Sequence, residues 1–374
     1  MVPVGWDSFS PLSVIIVIFI CLLSAGIWVL WLRHSDTYAG IKRRSASPLA
    51  FFVAGIGSAF LSVLFTYANP FYWSTIEGLW HHILVVGPSE EAAKLATLIA
   101  VASWKRSIKE PLDALIFGAA VGAGFAVFEN FGYGMEYGIP LLIARSALSV
   151  FSHMSWAAFA AYAFYALKYD GAVERSIPRR LVGWFGAALV HGLSNVMTYF
   201  DGLVGIALLM KVGYFGALLV ALSYERERSA YRRYTAGDWR AGNDAVTRAL
   251  RQDPYDVELL IRRGYYRLCG GRYPEAKRDF SKALSLSPKA PECRAWAAAA
   301  EIASGQSSSA SDTLRQAVKE MALARKQFLR KALVAARKPK DLKLAIEIIA
   351  ETPNPCQGIK KPSNKMLIGG YRIK

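Results

Sequence analysis

The sequence has few of the signatures that mark familiar hydrolases or disulfide-stapled folds. Its 374 residues hold four cysteines, Cys21, Cys269, Cys293 and Cys356, none in a CxxC pair. That spacing supports neither a disulfide framework nor a zinc knuckle. There is no HExxH, which argues against a zincin-type site-two protease. There is no GxSxG and no Asp pair inside the apolar runs, which argues against rhomboid-like and diaspartyl intramembrane proteases. The first basic residue is Arg33, beyond the first hydrophobic run, so the start does not read as a typical signal peptide.

Charge is scarce in the first part of the chain and one-sided in the rest. From Glu225 to Lys374 there are 31 Lys and Arg against 16 Asp and Glu, a net of +15 out of +17 for the whole chain. A basic polar region after apolar runs fits a domain held near anionic lipid, and no specific nucleic acid is expected as a partner.

What is present is long apolar sequence. Seven stretches approach the ~20 residues that cross a bilayer: 12–32, 49–68, 79–103, 112–133, 141–167, 181–200 and 203–224. Basic residues follow the odd-numbered stretches: Lys42, Arg43 and Arg44; Lys105, Arg106 and Lys109; Lys168, Arg175, Arg179 and Arg180; Arg226, Arg228, Arg232 and Arg233. The alternate loops, Asn69 to Glu77, Gly134 to Pro140 and Phe200 to Gly202, contain no Lys or Arg. The positive-inside rule therefore predicts an outside N-terminus and a cytoplasmic C-terminus.

The polar part repeats itself. Ala236 to Pro254 aligns with Gly270 to Pro288 at a shift of 34 residues, matching Gly237 with Gly271, Ala249 with Ala283 and Pro254 with Pro288. A weaker third copy sets Gly305, Ala310, Leu314 and Ala317 opposite Gly271, Ala276, Phe280 and Ala283. A 34-residue helix–turn–helix period is the tetratricopeptide signature. The fold expected is all-α: a polytopic transmembrane bundle of about seven spans (1–224), tetratricopeptide-like repeats (225–325) and a basic, partly disordered tail (326–374).

Ionisable residues inside spans are costly and mark functional sites by default. The third span contains Gly87-Pro88-Ser89-Glu90-Glu91-Ala92-Ala93-Lys94. Pro88 lacks an N–H and crowds the Leu84 carbonyl, so a kink is expected. Glu90 and Lys94 are i,i+4 and can pair, while Glu91 points about 100° away. The fourth span ends in Phe125-x-x-x-Glu129 after Gly118, Gly122 and Gly124, small residues that allow a close neighbour. The fifth carries Arg145 and His153, and the sixth has His191-x-x-x-Asn195. His81 and His82 read as interfacial; Lys211 has no evident partner in the sequence. A carboxylate with a histidine can activate water directly, or Glu129, His153 and His191 can hold a zinc ion that does so.

These motifs, Glu90-Glu91-x-x-Lys94, Phe125-x-x-x-Glu129, His153 and His191-x-x-x-Asn195, occur in order over roughly residues 75–200. In this they resemble the PrsW family of polytopic proteases, within the superfamily of CAAX-prenyl proteases and bacteriocin-processing enzymes. The resemblance implies an endopeptidase of the bacterial cytoplasmic membrane, one that can begin the breakdown of membrane-anchored anti-sigma factors. It implies catalytic roles for Glu90, Glu91, Glu129, His153, His191 and Asn195, with Lys94 and Arg145 in support. The cofactor stays open between zinc and a metal-free glutamate mechanism. Expected partners are a membrane-anchored protein substrate, the lipid bilayer, and a cytoplasmic peptide or protein for the repeats, which the resemblance does not cover. Two other functions stand beside it: a proton-coupled transporter, in which the same residues form a Glu/His relay, or a membrane-anchored scaffold, in which the repeats do the work and the spans only hold them.

Overall fold

The computed structural model describes residues 10–36, 38, 47–72, 78–105, 107–169, 181–232, 234–235, 237–305, 308–334 and 342–351. Every regular element among them is helical. The chain divides into two compact units, Met1–Glu227 and Arg228–Lys374.

The first unit is built from α1 (Pro11–Ser35), α2 (Pro48–Ala68), α3 (Gly87–Lys105), α4 (Pro111–Tyr137), α5 (Ile139–Tyr169), α6 (Val182–Met197) and α7 (Val204–Glu227). Each expected apolar stretch corresponds to one of them. α1, α2 and α4 open with proline, where the missing N–H costs nothing. The α4 start adds a reciprocal cap between Glu110 and Asp113.

Among the described residues, four segments are long and apolar enough to cross a membrane: Pro11–Ser35, Pro48–Ala68, Pro111–Tyr137 and Asp201–Glu227. The count of about seven is not established. α6 has 16 residues, only ~24 Å at the helical rise. α3 and α5 carry the ionisable residues that lower their apolarity. The basic loop residues Lys42, Arg43, Arg44, Arg106, Arg175, Arg179, Arg180 and Arg233 lie outside the described residues.

α4 is the axis of this unit. It is almost wholly buried and packs against α1, α2, α3, α5 and α7. Its small residues are the reason. A Cβ on Gly124 would strike the Phe52 carbonyl, and one on Gly122 would strike the His153 carbonyl. Gly118 abuts Ala157 and Ala158 in the same way, and Gly55 of α2 abuts the Val121 carbonyl. The stripe expected to admit a close neighbour therefore admits two, α2 and α5. Large apolar side chains point outward from the helices around this axis, among them Ile15 and Phe19 of α1, Phe60 and Leu64 of α2, and Leu209 and Val220 of α7. Such a surface suits lipid.

The second unit holds α8 (Trp239–Gln252), α9 (Val257–Cys269), α10 (Tyr273–Leu286), α11 (Pro291–Ala303), α12 (Ser308–Glu320), α13 (Leu323–Val334) and α14 (Lys343–Glu351). From α8 to α12 each helix packs on the next, the nearest-neighbour pattern of a solenoid. The aligned glycines do the same job 34 residues apart: Gly271 has φ 73° and Gly305 φ 83°, the left-handed region that ends a helix. The aligned small positions Ala276, Ala283, Ala310 and Ala317 are buried at the helix contacts. α9 and α10 are also clamped by ions, with Arg263 and Arg267 both 2.7 Å from the buried Asp279. Part of the segment expected as a basic tail is helical, as α13 and α14; Arg337, Lys338, Lys340 and everything after Glu351 lie outside the described residues.

Candidate active site

The site begins with a disturbance in the backbone. Pro88 cannot donate to the Leu84 carbonyl. The chain just before α3 widens into a π-helical stretch, His82–Val86, following a single turn at Leu79–His81. The Leu84 carbonyl is met instead by the side-chain amide of Asn69, whose Nδ2 donates to it at 2.9 Å. The sequence predicts the freed carbonyl but not its partner 15 residues upstream. Gly87 lies against the Ala188 carbonyl and Gly192 against the His82 carbonyl, so α3 and α6 touch at backbone distance. That approach sets Glu90 and Glu91 opposite His191.

Glu91 is fully buried, and its Oε1 takes two partners. Lys94 Nζ donates at 2.7 Å and His191 Nδ1 lies at 3.0 Å. Lys94 is buried too; it reaches His153 Nδ1 at 2.8 Å and sits 4.0 Å from the Phe125 ring centroid. Glu90 is the more open carboxylate, with 16% of its side chain exposed, and its Oε2 stands 3.7 Å from both Lys94 Nζ and His191 Nε2. On the far side of His153, Nε2 is 2.7 Å from Glu129 Oε2, and Arg145 pairs with Glu129 Oε1 at 2.9 Å.

These partners assign the imidazole tautomers. A carboxylate only accepts, so His191 Nδ1 and His153 Nε2 carry the protons. An ammonium only donates, so His153 Nδ1 presents its lone pair to Lys94. His191 Nε2 is then also a lone-pair nitrogen, and it faces Glu90. Each histidine is thus held by a carboxylate on one side; on the other, His191 turns Nε2 toward Glu90 while His153 Nδ1 accepts from Lys94.

The expected residues Glu90, Glu91, Lys94, Glu129, Arg145, His153 and His191 form one connected cluster drawn from α3, α4, α5 and α6. Lys94 pairs more closely with Glu91 than with Glu90, the partner that i,i+4 spacing favours, because His153 on α5 draws the ammonium to that side. Asn195 lies one turn beyond His191, and among the described residues no side-chain hydrogen bond joins it to the cluster. His82 bonds Tyr199 at 2.9 Å, at the edge of the unit. Trp156 was not foreseen from the sequence: its ring stacks on His191 with centroids 4.3 Å apart and meets His153 edge-on at 5.3 Å. Its i+3 spacing from His153 on one helix face was the available signal.

Residues 46–222 match the family model described as PrsW family intramembrane metalloprotease. Over 194 residues the chain is 24% identical to "Protease PrsW" of Clostridioides difficile (strain 630), covering 49% of this chain and 79% of that protein. It is 31% identical over 109 residues to "Protease PrsW" of Shouchella clausii (strain KSM-K16), 29% of this chain and 50% of that protein.

Residues 46–222 are similar to the PrsW family.

The matched region contains the whole cluster. A tetratricopeptide repeat model matches residues 270–336, within the second unit. No solved structure matches the chain. The family description implies a metal ion, and the residues fit one. Glu90, His153 and His191 each offer a ligand atom, all within 4.8 Å of one another. One carboxylate with two imidazoles is a zinc donor set. Glu90 Oε2 is buried without a hydrogen-bond partner. The structure groups Glu90, rather than the expected Glu129, with the two histidines, because Glu129 lies beyond His153 and is taken up by Arg145.

Proposed function

We propose that this chain is an intramembrane endopeptidase that hydrolyses membrane-anchored proteins with water activated between Glu90, His153 and His191. The observation that carries the reading is that all three donors converge inside a PrsW-family helical unit, each histidine oriented by its own carboxylate.

Glu90, His153 and His191 are the residues that would hold the metal ion. When bound, such an ion lowers the pKa of water and polarises a carbonyl. The chain supplies the rest. Glu91 fixes the His191 tautomer and ring plane, and Glu129 does the same for His153. Lys94 compensates the buried charge of Glu91. Trp156 and Phe125 wall the imidazoles with apolar surface, which strengthens every electrostatic contact there. Glu90, on the open side, is the carboxylate an entering water meets first. Asn195, one turn from His191, would be the residue that polarises a substrate carbonyl.

The membrane is the cytoplasmic membrane of a bacterium, with the N-terminus outside and the repeats inside, as the basic loops direct. Anti-sigma-factor-like proteins are the substrate class. The repeats offer their inner helix faces to a cytoplasmic peptide or protein.

The full chain, purified and reconstituted in vesicles with a single-span reporter, tests this reading. Fragment appearance by mass spectrometry that Glu90→Gln abolishes is the expected result. Solute or proton flux that depends on Glu129, with no fragment from any reporter, would replace the peptidase by the transporter.

A further inference from the structure

The site is electrically lopsided. At one end two carboxylates, Glu90 and Glu91, share the single ammonium of Lys94. At the other end the ratio is reversed. Arg145 of α5 and Lys211 of α7 both lie within electrostatic reach of one carboxylate, Glu129, which also binds His153. Among the described residues Lys211 has no ion pair or hydrogen bond of its own. Its place follows from packing: Phe215, one turn further along α7, contacts Phe151 of α5 with ring centroids 5.2 Å apart. That contact packs α7 on α5 one turn from Lys211.

Arg145 is held in position rather than free to swing. Its guanidinium lies 3.6 Å from the Tyr133 ring centroid while Nη2 pairs with Glu129. Its Nε is buried with no hydrogen-bond partner. Arg145 and Glu129 keep 25% and 21% of their side chains exposed, so this end is open to a ligand. A cation inside a membrane unit without a full counter-charge is costly, and it calls for an anion.

We propose that Arg145 and Lys211 form a carboxylate-binding subsite, which takes an Asp or Glu of the substrate segment flanking the scissile bond. The inference rests on the peptidase reading and adds a substrate preference to it. An acidic side chain seated there would fix the register of the substrate relative to Glu90 and the two histidines. Lys211 is the eighth residue of Val204–Glu227, ~10 Å along the helix from its start. A lipid phosphate at the headgroup level is the other source of the same anionic chemistry.

The test uses the full chain in zwitterionic phosphatidylcholine vesicles. Single-span reporters carry Glu, Gln or Lys at successive positions around the cleavage point. With the wild type, kcat/KM for the best-placed Glu reporter should exceed that of its Gln partner by about tenfold or more. Lys211→Met should bring the Glu reporter down to the level of the Gln one, and Lys211→Glu should shift the preference to Lys. Reporter affinity, measured by energy transfer on the Glu90→Gln variant, should follow the same order. If the wild type cuts all three reporters equally and binds them equally, the subsite does not exist. If anionic phosphatidylglycerol accelerates every reporter in a Lys211-dependent way, without charge preference, the anion is a lipid phosphate and the proposal is overturned. If no reporter is cut but affinity still follows charge through Lys211, the peptidase reading fails while the subsite stands.

Discussion

Glu91 Oε1 lies 3.0 Å from His191 Nδ1 across a separation of 100 residues, and both side chains are buried. The bond fixes which nitrogen of His191 faces Glu90. Glu91→Gln keeps the shape and one accepting oxygen but removes the negative charge that matches Lys94 and strengthens the hold on the Nδ1 proton. Loss of such an orienting carboxylate typically costs about 10- to 100-fold in activity or metal affinity. The expected result is a fall in kcat of that size with KM little changed and normal membrane insertion. The check is steady-state kinetics beside metal content of the purified variant.

Gly122 faces the His153 backbone so closely that any Cβ must push α4 away from α5. Gly122→Ala should therefore lower thermal stability, by about 1–3 kcal/mol for overpacking, and damage activity through the position of His153. Gly132→Ala on the same helix meets nothing within 4 Å. It serves as the matched control and should leave both properties near wild type. Thermal unfolding in detergent with a cleavage assay distinguishes the two.

The Asn69–Leu84 bond replaces the one that Pro88 removes. Asn69→Ala leaves the Leu84 carbonyl without its donor, at a cost of about 1–3 kcal/mol if it stays buried. Asn69→Asp should do no better, since a carboxylate has no proton to give. A lower melting temperature for both variants is the expected outcome. Stability equal to wild type in both would show that the carbonyl finds another partner.

In the second unit, Gly271 and Gly305 hold positive φ values at matching repeat positions. A side chain there costs about 1–2 kcal/mol. Gly271→Val should make the repeats of the full-length protein more sensitive to limited proteolysis than the wild type. Cleavage of a reporter by the membrane unit reads whether the repeats matter for activity.

Much of this was legible from residue types and spacing. Pro88 announced a break, the glycine stripe announced close helices, and the 34-residue shift of Gly271 onto Gly305 became matching left-handed turns. Charged residues in apolar runs announced a site, and Glu90, Glu91, Glu129, His153 and His191 do meet. Periodicity along one helix could not show which neighbour wins. Lys94 was expected to favour Glu90, but the contact with His153 comes from another helix and tips it to Glu91. Glu90 joins the histidines in place of Glu129 for the same kind of reason: Arg145 claims Glu129 through tertiary packing. Hydropathy alone also leaves the number of spans open, because α6 is apolar but only 16 residues long.

The most direct measurement joins metal content and peptide hydrolysis in the same samples. The full chain is purified as wild type, His153→Ala and His191→Ala, and each is assayed for zinc and for cleavage of a single-span reporter. The expected result is about one ion per wild-type chain, as for a His₂Glu site, with both metal and cleavage lost in either variant. Cleavage at the wild-type rate by both variants would contradict the assignment of the site.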